Sequence, residues 1–189
     1  MSRLDARLAA LLIEKKETIL KKWFQAIVAS YPCDTTRFLE KERDRFANPV
    51  GAIMTDEIEA IYDHLLAGPE PEKVYPFIDR IIRIRAVQDF TAAQAVSFFF
   101  ELKRIIRTEL KKEIADKGLY EELSLMDSLI DDVALLAFNI YVERREKIFD
   151  LKSKEMRNWT FRLLQKANLV YDLDKGSQDS EDGNPDGLI

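Results

Sequence analysis

The stretch LYEELSLMDSLIDDVALLAFNIYVERREKIFDLKSKEMRNWTFRLLQK, Leu119 to Lys166, contains neither glycine nor proline. Those two residues are the strongest punctuators of a chain, so an unbroken run of this length reads as one helix. At the rise of an α-helix it is on the order of 70 Å long. A compact domain of this size is narrower than that. The run therefore predicts a helix whose second half projects, bends or pairs with another chain.

Working outward, the segment before it starts at Thr91, a side chain suited to capping a helix. It carries Ala95, Phe98, Phe99, Leu102, Ile105, Ile106, Leu110 and Ile114 at helical spacing and stops near Gly118. Phe98-Phe99-Phe100 covers nearly a full turn, which predicts burial on more than one side. Pro71 to Asp89 uses Val74, Phe77, Ile78, Ile81 and Ile82. Ile81 to Arg85 also alternates loosely like a strand, but the chain offers no second strand to pair with it. Asn48-Pro49 opens another helix, with Asn48 as cap and Pro49 where a missing N–H costs nothing. That helix closes at Gly68-Pro69. Leu4 to Ser30 reads as a single amphipathic helix ended by Tyr31-Pro32, and Cys33 to Phe46 as a charged connector with at most a short helix. The expected fold class is all-α, a helical bundle with a long C-terminal helix. Residues 1–168 form the helical domain, with 150–168 projecting, and 169–189 form an acidic disordered tail.

The net charge of −5 has a location. From Asp172 onward six acids face one base, Lys175, so that stretch alone carries −5 and the remainder is neutral. A neutral body has no general drive toward nucleic acid. The apolar runs fall far short of the roughly 18 residues that cross a bilayer, so no membrane insertion is expected. Arg3, Asp5 and Arg7 break up any signal-peptide core. One cysteine, Cys33, gives no internal disulfide framework and fits a reducing compartment. The expected location is cytoplasmic.

Chemistry-bearing patterns are few. His64 is the single histidine, lies on an amphipathic helix and has no second ligand nearby, so an ordinary helix residue outweighs a haem or zinc ligand. Glutamate-rich helices can build a di-metal site from Glu-x-x-His pairs, but the one sequence ending at His64 begins with Ile61. Motifs for zinc proteases, serine hydrolases and phosphate loops do not occur. No catalytic, metal or cofactor site is expected. Asp79 to Phe90 is distinctive, because Arg80, Arg83 and Arg85 cannot all face one side of a helix, which opens the core or an interface to one of them. A solvated face with the arginine stems laid along apolar surface is nevertheless the favoured reading. Arg83, Arg85, Gln88 and Asp89 are the candidate signal or structural motif. Ile148, Leu151 or Lys152, Met156, Trp159 and Leu163 resemble an interrupted heptad seam, and Trp159 with Phe161 is unusual on a charged helix. Met156, Trp159 and Leu163 are therefore expected to meet a partner helix or second subunit.

Two runs carry a family resemblance: Phe46-Ala47-Asn48-Pro49-Val50-Gly51, and Ile82-Arg83-Ile84-Arg85-Ala86-Val87-Gln88-Asp89-Phe90-Thr91-Ala92-Ala93-Gln94-Ala95-Val96. With Phe98 to Phe100 and Leu102-Lys103 after them, they resemble the N-terminal sensor domain of the RsbT co-antagonist (RsbR/RsbRD-type) family over about residues 8 to 150. The resemblance implies a globin-like, non-haem helical fold that dimerises through its last two long helices and serves bacterial stress signalling. On those helices it points to Phe98, Leu102, Ile106, Met126, Val133 and Ile140 as homodimer contacts. The family plan continues into a STAS domain, whereas here only the acidic tail follows Lys166. The expected function is a non-enzymatic sensor or scaffold that homodimerises and relays a signal to a protein partner. The alternatives are a haem- or other ligand-binding globin-like sensor and, lower, a metal-dependent enzyme on a helical bundle.

Overall fold

A computed structural model describes residues 4–31, 48–68, 70–88 and 90–167. Among them the protein is all-α, with seven helices and no strand. They are α1 Ala6–Glu14, α2 Lys16–Ala29, α3 Pro49–Ala67, α4 Pro71–Val87, α5 Ala92–Glu109, α6 Lys111–Lys117 and α7 Tyr120–Lys166. The chain divides into two compact units, Met1–Glu146 and Lys147–Ile189, and α7 contributes to both.

The helix starts follow local chemistry. Asp5 accepts from the backbone N–H of Arg7 at 2.7 Å to cap α1, and that bond holds its carboxyl below the usual range. Asn48 accepts from Gly51 N at 2.9 Å ahead of Pro49 at the head of α3. Thr91 and Gln94 form a reciprocal capping box at α5, with Thr91 accepting from Gln94 N and Gln94 accepting from Thr91 N. Gly118 ends α6 in the left-handed conformation, φ 67°, which glycine adopts without strain.

Two segments expected as single helices are each split. Leu4 to Ser30 breaks at Lys15 (φ −94°, ψ 4°) into α1 and α2, and the Thr91-to-Gly118 segment breaks at Leu110 (φ −105°, ψ 10°) into α5 and α6. Neither position holds a glycine or proline. The breaks face each other across the bundle, since Lys15 pairs with Glu113 at 3.7 Å and Lys22 with Glu109 at 2.5 Å. The two ion pairs thus join the segments beside both breaks. The connector expected at Cys33 to Phe46, Cys33 itself and the tail beyond Ala167 lie outside the described residues.

The core of the first unit is built around Trp23, which is fully buried and donates its indole N–H to Phe98 O at 2.7 Å. Phe98 and Phe99 stack beside it at ring distances of 6.0 and 6.2 Å. The expected burial of the aromatic triplet holds for those two, whereas Phe100 is half exposed. Each fully buried large side chain of this kind contributes about 1.5–3 kcal/mol. Tyr62 donates to Leu12 O at 3.0 Å, and burial pushes its phenol well above the usual range. α7 runs antiparallel to α5, as the ion pairs Lys103–Asp131 (2.9 Å) and Arg107–Asp127 show. Its inner stripe is Leu123, Met126, Ile130, Val133, Ala137, Ile140 and Tyr141, the last buried residues of the described chain.

Candidate functional site

Arg85 sits where α2, α4 and α5 meet. The buried positions of α4 are Val74, Ile78, Ile81, Ile82, Arg85 and Ala86, so Arg85 occupies the apolar stripe of its own helix. It is 0% exposed. Its guanidinium donates to Gln94 O at 2.9 Å, to Ser30 Oγ at 2.8 Å and to Ile27 O at 3.4 Å. Its carbon stands 4.8 Å from the Phe90 ring, 5.0 Å from Phe98 and 5.4 Å from Tyr31. Among the described residues no carboxylate pairs with it. The C-terminal end of α2 supplies the compensating charge: its last carbonyls carry the negative end of the helix dipole, and Ile27 and Ser30 belong to that end. Burial lowers the Arg85 pKa, opposed in part by Tyr31.

The other motif residues separate. Arg83 is exposed. Arg80 is mostly exposed and donates to Glu57 at 2.6 Å. Gln88 is half-buried, with its side-chain oxygen out of solvent and accepting no hydrogen bond among the described residues. Asp89 lies outside the described residues. His64 is half-buried, its Nδ1 2.8 Å from Ala60 O within α3 and its ring 5.1 Å from Phe77.

The same corner is tied to α7 by three contacts. Arg144 pairs with Asp79 at 2.6 Å, a bond that holds the guanidinium pKa up. Arg145 donates to Ala86 O at 3.1 Å, and the Tyr141 hydroxyl donates to Phe90 O. These attachments flank Arg85 in sequence on one side and end at the boundary after Glu146 on the other. Sequence reasoning missed Tyr141, Arg144 and Arg145, because nothing in their spacing marks them as partners of Phe90 and α4.

The residues expected at a subunit interface fall into two groups. Phe98, Leu102, Ile106, Met126, Val133 and Ile140 are at most 3% exposed and pack inside the single chain. A second subunit cannot reach them without opening the bundle. Exposed apolar side chains of the same two helices include Phe100 on α5 and Leu125, Leu135, Phe138 and Val142 on α7. The last three lie at i, i+3 and i+7, a second stripe beside the core stripe that the sequence could have revealed. In the unit after Glu146, Met156 is 68%, Trp159 64% and Leu163 45% exposed.

Against known families, residues 17–156 match the RsbT co-antagonist protein rsbRD N-terminal domain. The chain belongs to that family. The match extends from α2 to Met156 and includes the whole Arg85 corner. It gives this RsbRD N-terminal domain a signalling or regulatory role in stress-response pathways, within regulatory protein complexes. No curated protein and no solved structure matches the chain. Among the described residues no helix is long and apolar enough to cross a membrane.

Proposed function

We propose that this RsbRD-type domain is a non-enzymatic sensor that homodimerises and relays a signal through α7 to a protein partner. The observation that carries the reading is the Arg85 corner. One side chain joins the end of α2, the end of α4 and the start of α5, and three adjacent contacts fasten that corner to α7. A ligand acts on such a protein only by favouring one arrangement of helices over another. A shift of α2 or α5 about Arg85 changes what Tyr141, Arg144 and Arg145 hold, and so the setting of α7.

The homodimer face is the exposed stripe Leu135, Phe138 and Val142 together with Phe100. The antiparallel register set by Lys103–Asp131 and Arg107–Asp127 puts Phe100 level with Ala134 and Leu135. An apolar stripe on α7 with Phe100 beside it on α5 suits a four-helix contact between two copies. Met156, Trp159 and Leu163 serve the output partner.

Sedimentation of the full chain tests the reading. The wild type sediments as a dimer at tens of micromolar. Leu135→Glu places an unpaired charge in the contact, which costs about 3 kcal/mol and raises the dissociation constant on the order of a hundred-fold. Because Leu135 is 65% exposed, helical circular dichroism stays unchanged. A wild type that sediments as a monomer, or a variant that associates equally well, overturns the dimer.

A further inference from the structure

The far half of α7 differs from the rest of the chain in charge. Between Lys147 and Ala167 six cationic side chains stand against two acidic ones, a net +4. All six cations are exposed, and among the described residues none is in an ion pair. On the same turns Phe149, Met156, Trp159 and Leu163 form one stripe, and Lys152 interrupts it. An occupant of this stripe must therefore bring apolar and anionic groups together.

A second copy of the same half suits it poorly. Parallel pairing along the heptad sets Lys152 of one copy against Lys152 of the other, a like-charge juxtaposition at a core position. The chain itself supplies a better match. Asp172 to Asp186 holds six acids and one base, a net −5, with Leu173 among them and Leu169, Val170 and Tyr171 just before.

Distance permits the contact. Asp172 lies six residues beyond Lys166, and an extended chain covers about 20 Å over that length. The helical stretch from Lys147 to Lys166 is about 30 Å long, less than the roughly 50 Å that the fifteen residues from 172 to 186 can span. A tether this short also holds the acids near the cations at an effective concentration in the millimolar range.

We propose that the acidic stretch Asp172–Asp186 docks back on the basic apolar stripe of α7 and covers Met156 and Trp159 until a partner displaces it. This rests on the reading of the α7 end as the output surface. Release then requires a competitor that is acidic and apolar as well, which defines the chemistry of the partner.

Acrylamide quenching of the full chain tests it, since Trp159 is exposed on the helix whereas Trp23, the other tryptophan, is wholly buried. The tail variant carries Asp172→Asn, Asp174→Asn, Asp179→Asn, Glu181→Gln, Asp182→Asn and Asp186→Asn. A second variant, Lys152→Glu with Arg157→Glu, removes the charge match from the helix side. With a millimolar effective concentration and a dissociation constant near it, about half the molecules are covered, so either variant raises the quenching constant about two-fold. Salt at 0.5 M raises it in the wild type and not in the variants. Covering that is independent of protein concentration supports the tail. Equal quenching in wild type and both variants overturns the proposal, leaving the stripe to a separate partner or an anionic membrane. Protection that grows with protein concentration and survives the tail substitutions also overturns it, in favour of a second copy. Dimerisation through Leu135 is read separately by sedimentation, so either idea can fail alone.

Discussion

Arg85 holds a positive charge out of water with no carboxylate beside it among the described residues, and the surroundings make up the difference in small parts. Two carbonyls and one hydroxyl accept its protons, three rings offer their faces, and the α2 terminus adds its dipole. The planar fork matters, because its donors reach Gln94 on one side and Ser30 with Ile27 on the other. A lysine ammonium reaches one side only. Arg85→Lys is therefore expected to cost about 1–3 kcal/mol of stability, read as a lower urea midpoint with an unchanged slope. An unaltered midpoint would mean the fork holds nothing together. The sequence showed that three arginines could not share a face. It did not show which one turned inward; the position of Arg85 at the eleventh residue after Val74, on the stripe with Ile78, Ile81 and Ile82, decides that once the helix register is known.

At the scale of the element, Asn48-Pro49-Val50-Gly51 shows why one glycine sits inside a helix. The Asn48 side chain folds over the first turn of α3 to accept from Gly51 N, and a Cβ on residue 51 would lie 2.8 Å from Asn48 Oδ1. Alanine ordinarily gains about 1 kcal/mol over glycine in a helix. Here the gain is cancelled, because the added methyl evicts the cap, itself worth about 1 kcal/mol. Gly51→Ala is expected to leave stability level or lower, whereas in an Asn48→Ala background the same change raises it. A thermal-melt double-mutant cycle reads the sign, and a stabilising Gly51→Ala in the wild type would sink the argument. Starts of this kind were legible because capping is a matter of two or three adjacent residues. The bends at Lys15 and Leu110 were not, since neither position holds a glycine or proline that would mark a break. The interface reading had the same defect: periodicity placed Phe98, Leu102 and Val133 on helices, but not which of two apolar faces the bundle would take.

At the scale of the whole molecule, the buried core and the proposed output surface lie in different parts of the chain. Every buried apolar side chain among the described residues lies at or before Tyr141, and the first unit closes at Glu146. Beyond it, residues 147–167 are helical and nearly all exposed, so they add little hydrophobic stabilisation to the bundle. Ending the chain after Glu146 is expected to leave the thermal midpoint of the bundle within about 3 °C, measured at a protomer concentration low enough that neither form associates. The contact of Tyr141 with Phe90 and those of Arg144 and Arg145 with α4 all survive that cut. A fall of 10 °C or more would show that the far end of α7 supports the fold, and it could not then be free to change its setting as a relay must. Retention of the midpoint leaves the Arg85 corner intact on a body that has lost only the surface carrying Met156, Trp159 and Leu163. That is the division of labour a sensor needs, with a stable part to be biased and an exposed part to be read.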